Sequence, residues 1–179
     1  MEKRLSVEKY FQYPETHRRM ELVFGVVREP LAPRWGHQSV VTRLVTLLDT
    51  YVRGEQLGRI CVSPLDVILD AERALVVQPD VVFISTERLA IVRERVHGAP
   101  DLAIEVLSLG TALHDRTVKL EWYREYGVRE SWLVDPVECA VEILNFESGV
   151  DRRRIFAGRA PVESHVLPGL TVPVGEFFL

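Results

Sequence analysis

Pro100-Asp101-Leu102-Ala103-Ile104-Glu105-Val106-Leu107 is the stretch whose reading decides the fold. From Leu102 to Leu107 both alternating faces are apolar except at Glu105, the pattern of a strand buried on both sides. Such a strand belongs in the interior of a sheet covered by helices, which predicts an α/β (α+β) protein with a mixed β-sheet flanked by helices. An isolated carboxylate in that setting is costly, so Glu105 is expected to be neutralised, paired with Arg or Lys, or bound to a metal. A strand open to solvent on one face is the bland alternative.

Upstream, Val76-Val77-Gln78-Pro79-Asp80-Val81-Val82-Phe83-Ile84 places a second carboxylate, Asp80, at the head of another apolar run. The connection through Ser85 to Ala99 is long enough to make the two strands sheet neighbours with both carboxylates at one end. Two such groups repel, and a hard divalent cation such as Mg²⁺ relieves the repulsion while keeping several waters. Alone, Asp80 also reads as a turn residue after proline. Lys119 falls on the segment after the Glu105 strand, where its ammonium can reach back to the same place. Its bland reading is an exposed pair with Asp115 one turn earlier.

Working outward, Met20 to Arg28 reads as a short strand or a hairpin bent at Gly25, with Glu21 at its start. Gly36 to Arg53 carries Val40, Val41, Leu44, Val45, Leu48, Tyr51 and Val52 at helical spacing. Ile60 to Leu69 and Leu75 to Ile84 predict an antiparallel hairpin, interrupted in each arm by Pro64 and Pro79. Thr111 to Tyr126 predicts a helix stopped at Gly127, Glu130 to Val134 and Val141 to Phe146 predict strands, and Arg153 to Phe156 a further one after a turn at 147–151. The tail from His165 is expected to pack back on the sheet, and residues 1–19 to form a short helix or loop.

The 179 residues, 47% hydrophobic and 27% charged, suit one domain over 1–179 and exclude disorder or a fibrous repeat. A net charge of −4 argues against coating nucleic acid by bulk positive charge, so a polyanion would need local clusters such as Arg152-Arg153-Arg154 or His17-Arg18-Arg19. Both clusters read equally as solvated turns. No apolar run approaches the roughly 18 residues of a membrane span and the start is polar, which predicts a cytoplasmic protein with no membrane partner. Cys61 and Cys139 lack metal or disulfide spacing and are expected as buried free thiols. The motifs of P-loop, dinucleotide-binding, zinc-protease and serine-hydrolase enzymes are absent.

Pro79-Asp80, Glu105-Val106-Leu107 and Lys119 together resemble the PD-(D/E)XK nuclease superfamily, and within it the Uma family of restriction-endonuclease-like proteins. The resemblance runs from about Met20 to the end, through Met20-Glu21-Leu22-Val23, Gly36-His37-Gln38, Val62-Ser63-Pro64-Leu65-Asp66-Val67, Gln78-Pro79-Asp80-Val81, Lys119-Leu120-Glu121-Trp122-Tyr123 and Val134-Asp135-Pro136. It implies a restriction-endonuclease-like core. Leu107 stands where the superfamily motif has its lysine, and the resemblance implies that Lys119 supplies that charge from the following helix. Phe24-Gly25 replaces the family's Asp-Gly turn after Glu21.

The function so implied is a Mg²⁺-dependent (or Mn²⁺-dependent) DNA endonuclease. Asp80, Glu105 and the carbonyl of Val106 hold the metal, Lys119 stabilises the charge that develops on phosphate, Glu21 supports Lys119 or a metal water, and His37 touches substrate. Glu21 and His37 serve equally well as helix-cap or buried polar residues. A homodimer is expected, because one site per chain cuts two strands most simply in a two-fold assembly. Two other readings stand beside this one: a catalytically silent nuclease-fold module with a regulatory or assembly role, and hydrolysis of a smaller phosphate in a closed pocket.

Overall fold

The computed structural model of the protein describes residues 4–14, 18–108, 115–147 and 152–179. From the N-terminus the chain forms α1 (Val7–Tyr10), β1 (Glu21–Val23), β2 (Val26–Arg28), the long helix α2 (Trp35–Gly54), β3 (Gly58–Val62), β4 (Val67–Asp70), β5 (Leu75–Val77) and β6 (Val81–Ser85). A 3-10 segment, Thr86–Ile91, leads to β7 (Val96–His97) and β8 (Leu102–Val106). A wide π turn, Asp115–Lys119, then opens α3 (Leu120–Glu125), followed by β9 (Glu130–Asp135), β10 (Ala140–Asn145), β11 (Arg152–Ala157) and a 3-10 segment, Val174–Phe178. The predicted helix over 111–126 is present from Asp115 on; its first residues lie outside the described ones, as does most of the 147–151 turn.

Two sheets result. One has the order β2-β1-β5-β4-β7 and the other β11-β10-β9-β8-β6-β3. β8 lies inside the second, parallel to β9 and antiparallel to β6, and all five of its residues are buried. This is the mixed, helix-flanked architecture that its apolar composition requires.

Side chains from alternate positions of the six-stranded sheet feed two cores. Val81, Phe83, Leu102, Ile104, Trp132 and Val134 meet α2, whose Val40, Leu44, Leu48 and Val52 recur every four residues along one face. The tail closes that core with Leu167, Leu170, Val174 and Phe177. On the opposite face Val82, Ile84, Ala103, Leu107 and Leu133 pack with Trp122 and Tyr123 of α3 and with Val67, Leu75 and Val77 of the five-stranded sheet. The outer face of that smaller sheet is covered by Val7 and Tyr10 of α1.

The hairpin expected from Ile60–Leu69 and Leu75–Ile84 is not one hairpin. Each arm is cut in two, so that β4 pairs with β5 in one sheet while β3 pairs with β6 in the other. Pro64 and Pro79 stand at the cuts, and a residue without an N–H cannot continue a ladder through the interior of a sheet. The arms stay tied by the Ser63 N–H, which donates to the Asp80 carbonyl at 3.0 Å. Asp80 therefore sits where the chain crosses from one sheet to the other.

The β1-β2 hairpin turns through Phe24 (φ 48°) and Gly25 (φ 85°), both left-handed, as a two-residue primed turn requires. A Cβ at Gly25 would also lie 2.9 Å from that of Arg4. The cysteines differ from expectation: Cys61 on an edge strand and Cys139 in a turn are free and exposed. Edge and turn positions are decided by pairing, which a lone cysteine does not reveal.

Candidate active site

In β6 and β8, Val81 pairs with Ile104, so Asp80 and Glu105 lie one step beyond that pair at the same end of the sheet. Glu21 heads β1 in the neighbouring sheet, and Lys119 arrives from the π turn. Four segments distant in sequence thus deliver Arg19 and Glu21, Asp80, Glu105 and Lys119 to the seam between the sheets. All but Arg19 are buried, Lys119 to 3% exposure and Glu105 to 1%.

Lys119 joins two of the carboxylates, its Nζ lying 2.8 Å from Glu21 Oε1 and 3.1 Å from Glu105 Oε1. The Tyr123 hydroxyl donates to the same Glu105 oxygen from one turn further along the helix. Glu21 Oε1 also accepts the Gln78 N–H at 2.9 Å. Asp80 is held separately: Oδ1 accepts from Arg19 Nη1 at 2.7 Å, and Oδ2 accepts the Val106 N–H at 2.7 Å and faces His37 Nε2 at 3.2 Å. Arg19 is fixed in turn by donating to the Gln78 carbonyl.

Burial by itself would push the Asp80 carboxyl up, but the hydrogen bond from His37, the Arg19 guanidinium and the Val106 N–H more than offset it and hold the group below the usual aspartate range. Glu21 follows the same pattern: burial opposes ionisation, while Lys119, the Gln78 N–H and Arg19 favour it more strongly, so its pKa is lowered. Burial works against the charge on Arg19 as well, and Asp80, Glu105 and Glu21 outweigh it and raise its pKa. Three carboxylates, Glu21, Asp80 and Glu105, thus share the seam with Lys119 and Arg19.

Beside Asp80 opens a cavity of about 480 Å³, walled by Pro30, Leu31, Pro33, Val41 and Pro64, with Arg18, Arg19, His37 and Ser63 also reaching it. Among the described residues three buried polar side-chain atoms have no partner: Arg19 Nε, His37 Nδ1 and Ser63 Oγ.

Of the residues singled out in the sequence, Glu21, His37, Asp80, Glu105, Val106 and Lys119 all come together, although Val106 meets Asp80 through its N–H rather than its carbonyl. The bland reading of Lys119 as an exposed residue does not hold. The bland reading of Glu105 as a salt-bridged carboxylate holds, through Lys119. Of the two basic clusters, Arg152, Arg153 and Arg154 are exposed on an edge strand, with Arg153 paired to Glu142 and Arg154 to Glu163. Arg19 turns inward, and His17 is outside the described residues. The sequence does not single out Tyr123, Gln78 or Ser63 as site residues, and it offers Arg19 only as part of a basic cluster for a polyanion. Tyr123 could have been singled out, because it lies four residues after Lys119 on a helix and so shares its face. Nothing local distinguishes Arg19 from its exposed neighbour Arg18.

The model of a family described as "Uma2: Putative restriction endonuclease" matches residues 7–175. The chain belongs to the Uma2 family. A solved structure from Anabaena variabilis ATCC 29413, titled a putative nuclease belonging to DUF820, superposes with a TM-score of 0.81 at 19% identity over 97% of both chains, and shares the fold. No curated protein matches the sequence. No helix among the described residues is long and apolar enough to cross a membrane.

Restriction-endonuclease-like families generally use divalent metals, and the donor chemistry of this Uma2 site suits a hard cation. Its candidate donors are buried oxygens, carboxylates among them, and Asp80 carries three contacts where a carboxylate has about four acceptor directions. Among the described residues no group of three His, Cys, Asp or Glu is arranged to hold an ion unaided. The set therefore fits a Mg²⁺-like ion that retains waters better than an ion needing a full protein cage.

Proposed function

We propose that the chain is a Mg²⁺-dependent (or Mn²⁺-dependent) DNA endonuclease that hydrolyses phosphodiester bonds at the Asp80-Glu105-Lys119 site. The observation that carries this reading is the convergence of three buried carboxylates and one buried lysine beside an open cavity, at a cost in desolvation that no structural need of the sheet requires. Asp80, Glu105 and the Val106 carbonyl would hold the metal, which supplies Lewis-acid polarisation of the phosphate and a more acidic water. Arg19, His37 and the Val106 N–H keep Asp80 ionised and oriented. The Tyr123 hydroxyl and Lys119 orient Glu105. Lys119 Nζ, fixed by Glu21, offers positive charge to the phosphoryl oxygens as their charge grows, in a setting too dry to screen it. We further propose that the enzyme is a cytoplasmic homodimer, with one site for each strand.

A second reading is favoured by one contact. Arg19 sits on Asp80 where a cation would otherwise be needed, as it would in a module that has kept the fold and lost turnover. Supercoiled plasmid incubated with Mg²⁺, with Mn²⁺ and with chelator separates the two. Metal-dependent nicking that disappears in Lys119→Ala supports the nuclease. Intact plasmid in every lane, from a folded protein, supports the silent module.

A further inference from the structure

The cavity beside Asp80 contains more than a phosphate needs. A phosphodiester presents only acceptors to a protein, so Arg19 Nε and Ser63 Oγ could serve it. His37 makes its 3.2 Å contact with Asp80 through Nε2, which leaves the other ring nitrogen, Nδ1, to be met from elsewhere. That nitrogen is buried, lacks a partner, and belongs to a residue that lines the cavity. A ring nitrogen, a guanidinium N–H and a hydroxyl set between apolar walls complement the edge and faces of a heterocycle, whereas a phosphate would leave the apolar walls unmet. The volume, about 480 Å³, falls among those of pockets that enclose a small organic ligand. Leu31, which lines the cavity, is 85% exposed, and Trp35, two residues before His37, is 89% exposed. Large apolar side chains left in solvent beside such a cavity can stack on or wedge between bases.

We infer that this cavity receives one unpaired nucleobase of the DNA strand being cut, making single-stranded or locally unpaired DNA the preferred substrate. The inference rests on the nuclease reading above. A base paired within a duplex cannot offer its edge to the floor of a concave site, whereas an unstacked base can.

The test is fluorescence anisotropy with the full chain in chelator, using a labelled 20-nucleotide single strand, its duplex, and a set of single strands carrying one abasic position each. The expected result is that the single strand binds about tenfold or more tightly than the duplex, and that an abasic position at one register weakens binding by about five- to a hundredfold. Val41→Trp, which fills the cavity from α2, is expected to erase both effects. Equal binding of single strand and duplex with a flat abasic scan overturns the inference, and this arm needs only the unaltered protein. If such a protein still nicks plasmid, the pocket inference fails while the nuclease reading stands. If no DNA is bound or cut, both fail. Adenosine monophosphate competing as well as the oligonucleotide, mole for mole, would also overturn the inference, by making the cavity a small-molecule site.

Discussion

β8 carries a buried carboxylate cluster at each end, and the two are built differently. At its start, Asp101 is fully buried and accepts the Ser85 N–H at 2.7 Å, Arg88 at 3.2 Å and Arg129 at 2.9 Å, with Glu147 on the far side of Arg129. Two acids there meet two arginines. At its end, Glu105 joins a cluster with Glu21, Asp80, Lys119 and Arg19 that adjoins three polar atoms without partners among the described residues, and a cavity. The first cluster is what a protein builds when it needs only to satisfy a buried charge. The second leaves hydrogen bonds unmet that a ligand could meet, and groups of that kind gather at binding sites.

The largest effect that would sharpen this contrast is expected from Lys119→Ala. Cleavage should fall at least a hundredfold, because a preorganised charge at the phosphate is lost. Because Lys119 also bridges Glu21 and Glu105 in the interior, the variant should lose roughly 3–5 kcal/mol of stability, so it is to be assayed well below its melting temperature. Full activity in this variant would break the comparison at its functional end.

Asp80→Asn keeps the shape and removes the charge. Calorimetric titration with Mn²⁺ is expected to show weaker binding by about one to two orders of magnitude, since an amide offers one neutral oxygen in place of a charged pair. Unchanged affinity would leave Asp80 as the partner of Arg19 and nothing more.

Asp101→Asn, at the other end of the strand, is expected to cost about 1–3 kcal/mol in urea denaturation and to leave plasmid nicking unchanged. Burial raises the Asp101 pKa, and the Ser85 N–H, Arg129 and Arg88 outweigh it, so the folded value lies below the unfolded one. The stability this group supplies is then fully present above the unfolded aspartate value of about pH 4 and is lost as the pH falls through the lowered one. Acid denaturation should accordingly be shallower in Asp101→Asn than in the parent. An identical acid slope would mean that the cluster contributes no stability through its charge.

The solvated pair of Arg53 with Asp49 on α2 sets the floor of the scale. Arg53→Ala should change stability by only about 0.3–0.5 kcal/mol, and less in high salt. A larger change would show that exposed charge matters more in this fold than either buried cluster suggests.

The sequence by itself determined the central strand, because apolar residues on both of its faces can be covered only inside a sheet. It determined α2 through the four-residue recurrence of Val40, Leu44, Leu48 and Val52, and it singled out Asp80, Glu105 and Lys119, since a carboxylate in an apolar strand is conspicuous and no lysine lies between Lys9 and Lys119. Local pattern did not reveal that Pro64 and Pro79 divide one apparent hairpin between two sheets. A missing N–H forbids a ladder bond without saying where the chain goes next. Nor did it show that Arg19 turns inward while Arg18 does not, or that the exposed lysine of the bland reading is among the most buried charges in the protein. Those outcomes depend on partners 14 to 98 residues away, Lys119 on Glu105 and on Glu21, and Arg19 on Asp80 at a separation of 61. Electrostatic energy is a function of distance in space, and only the packing of the two sheets sets those distances.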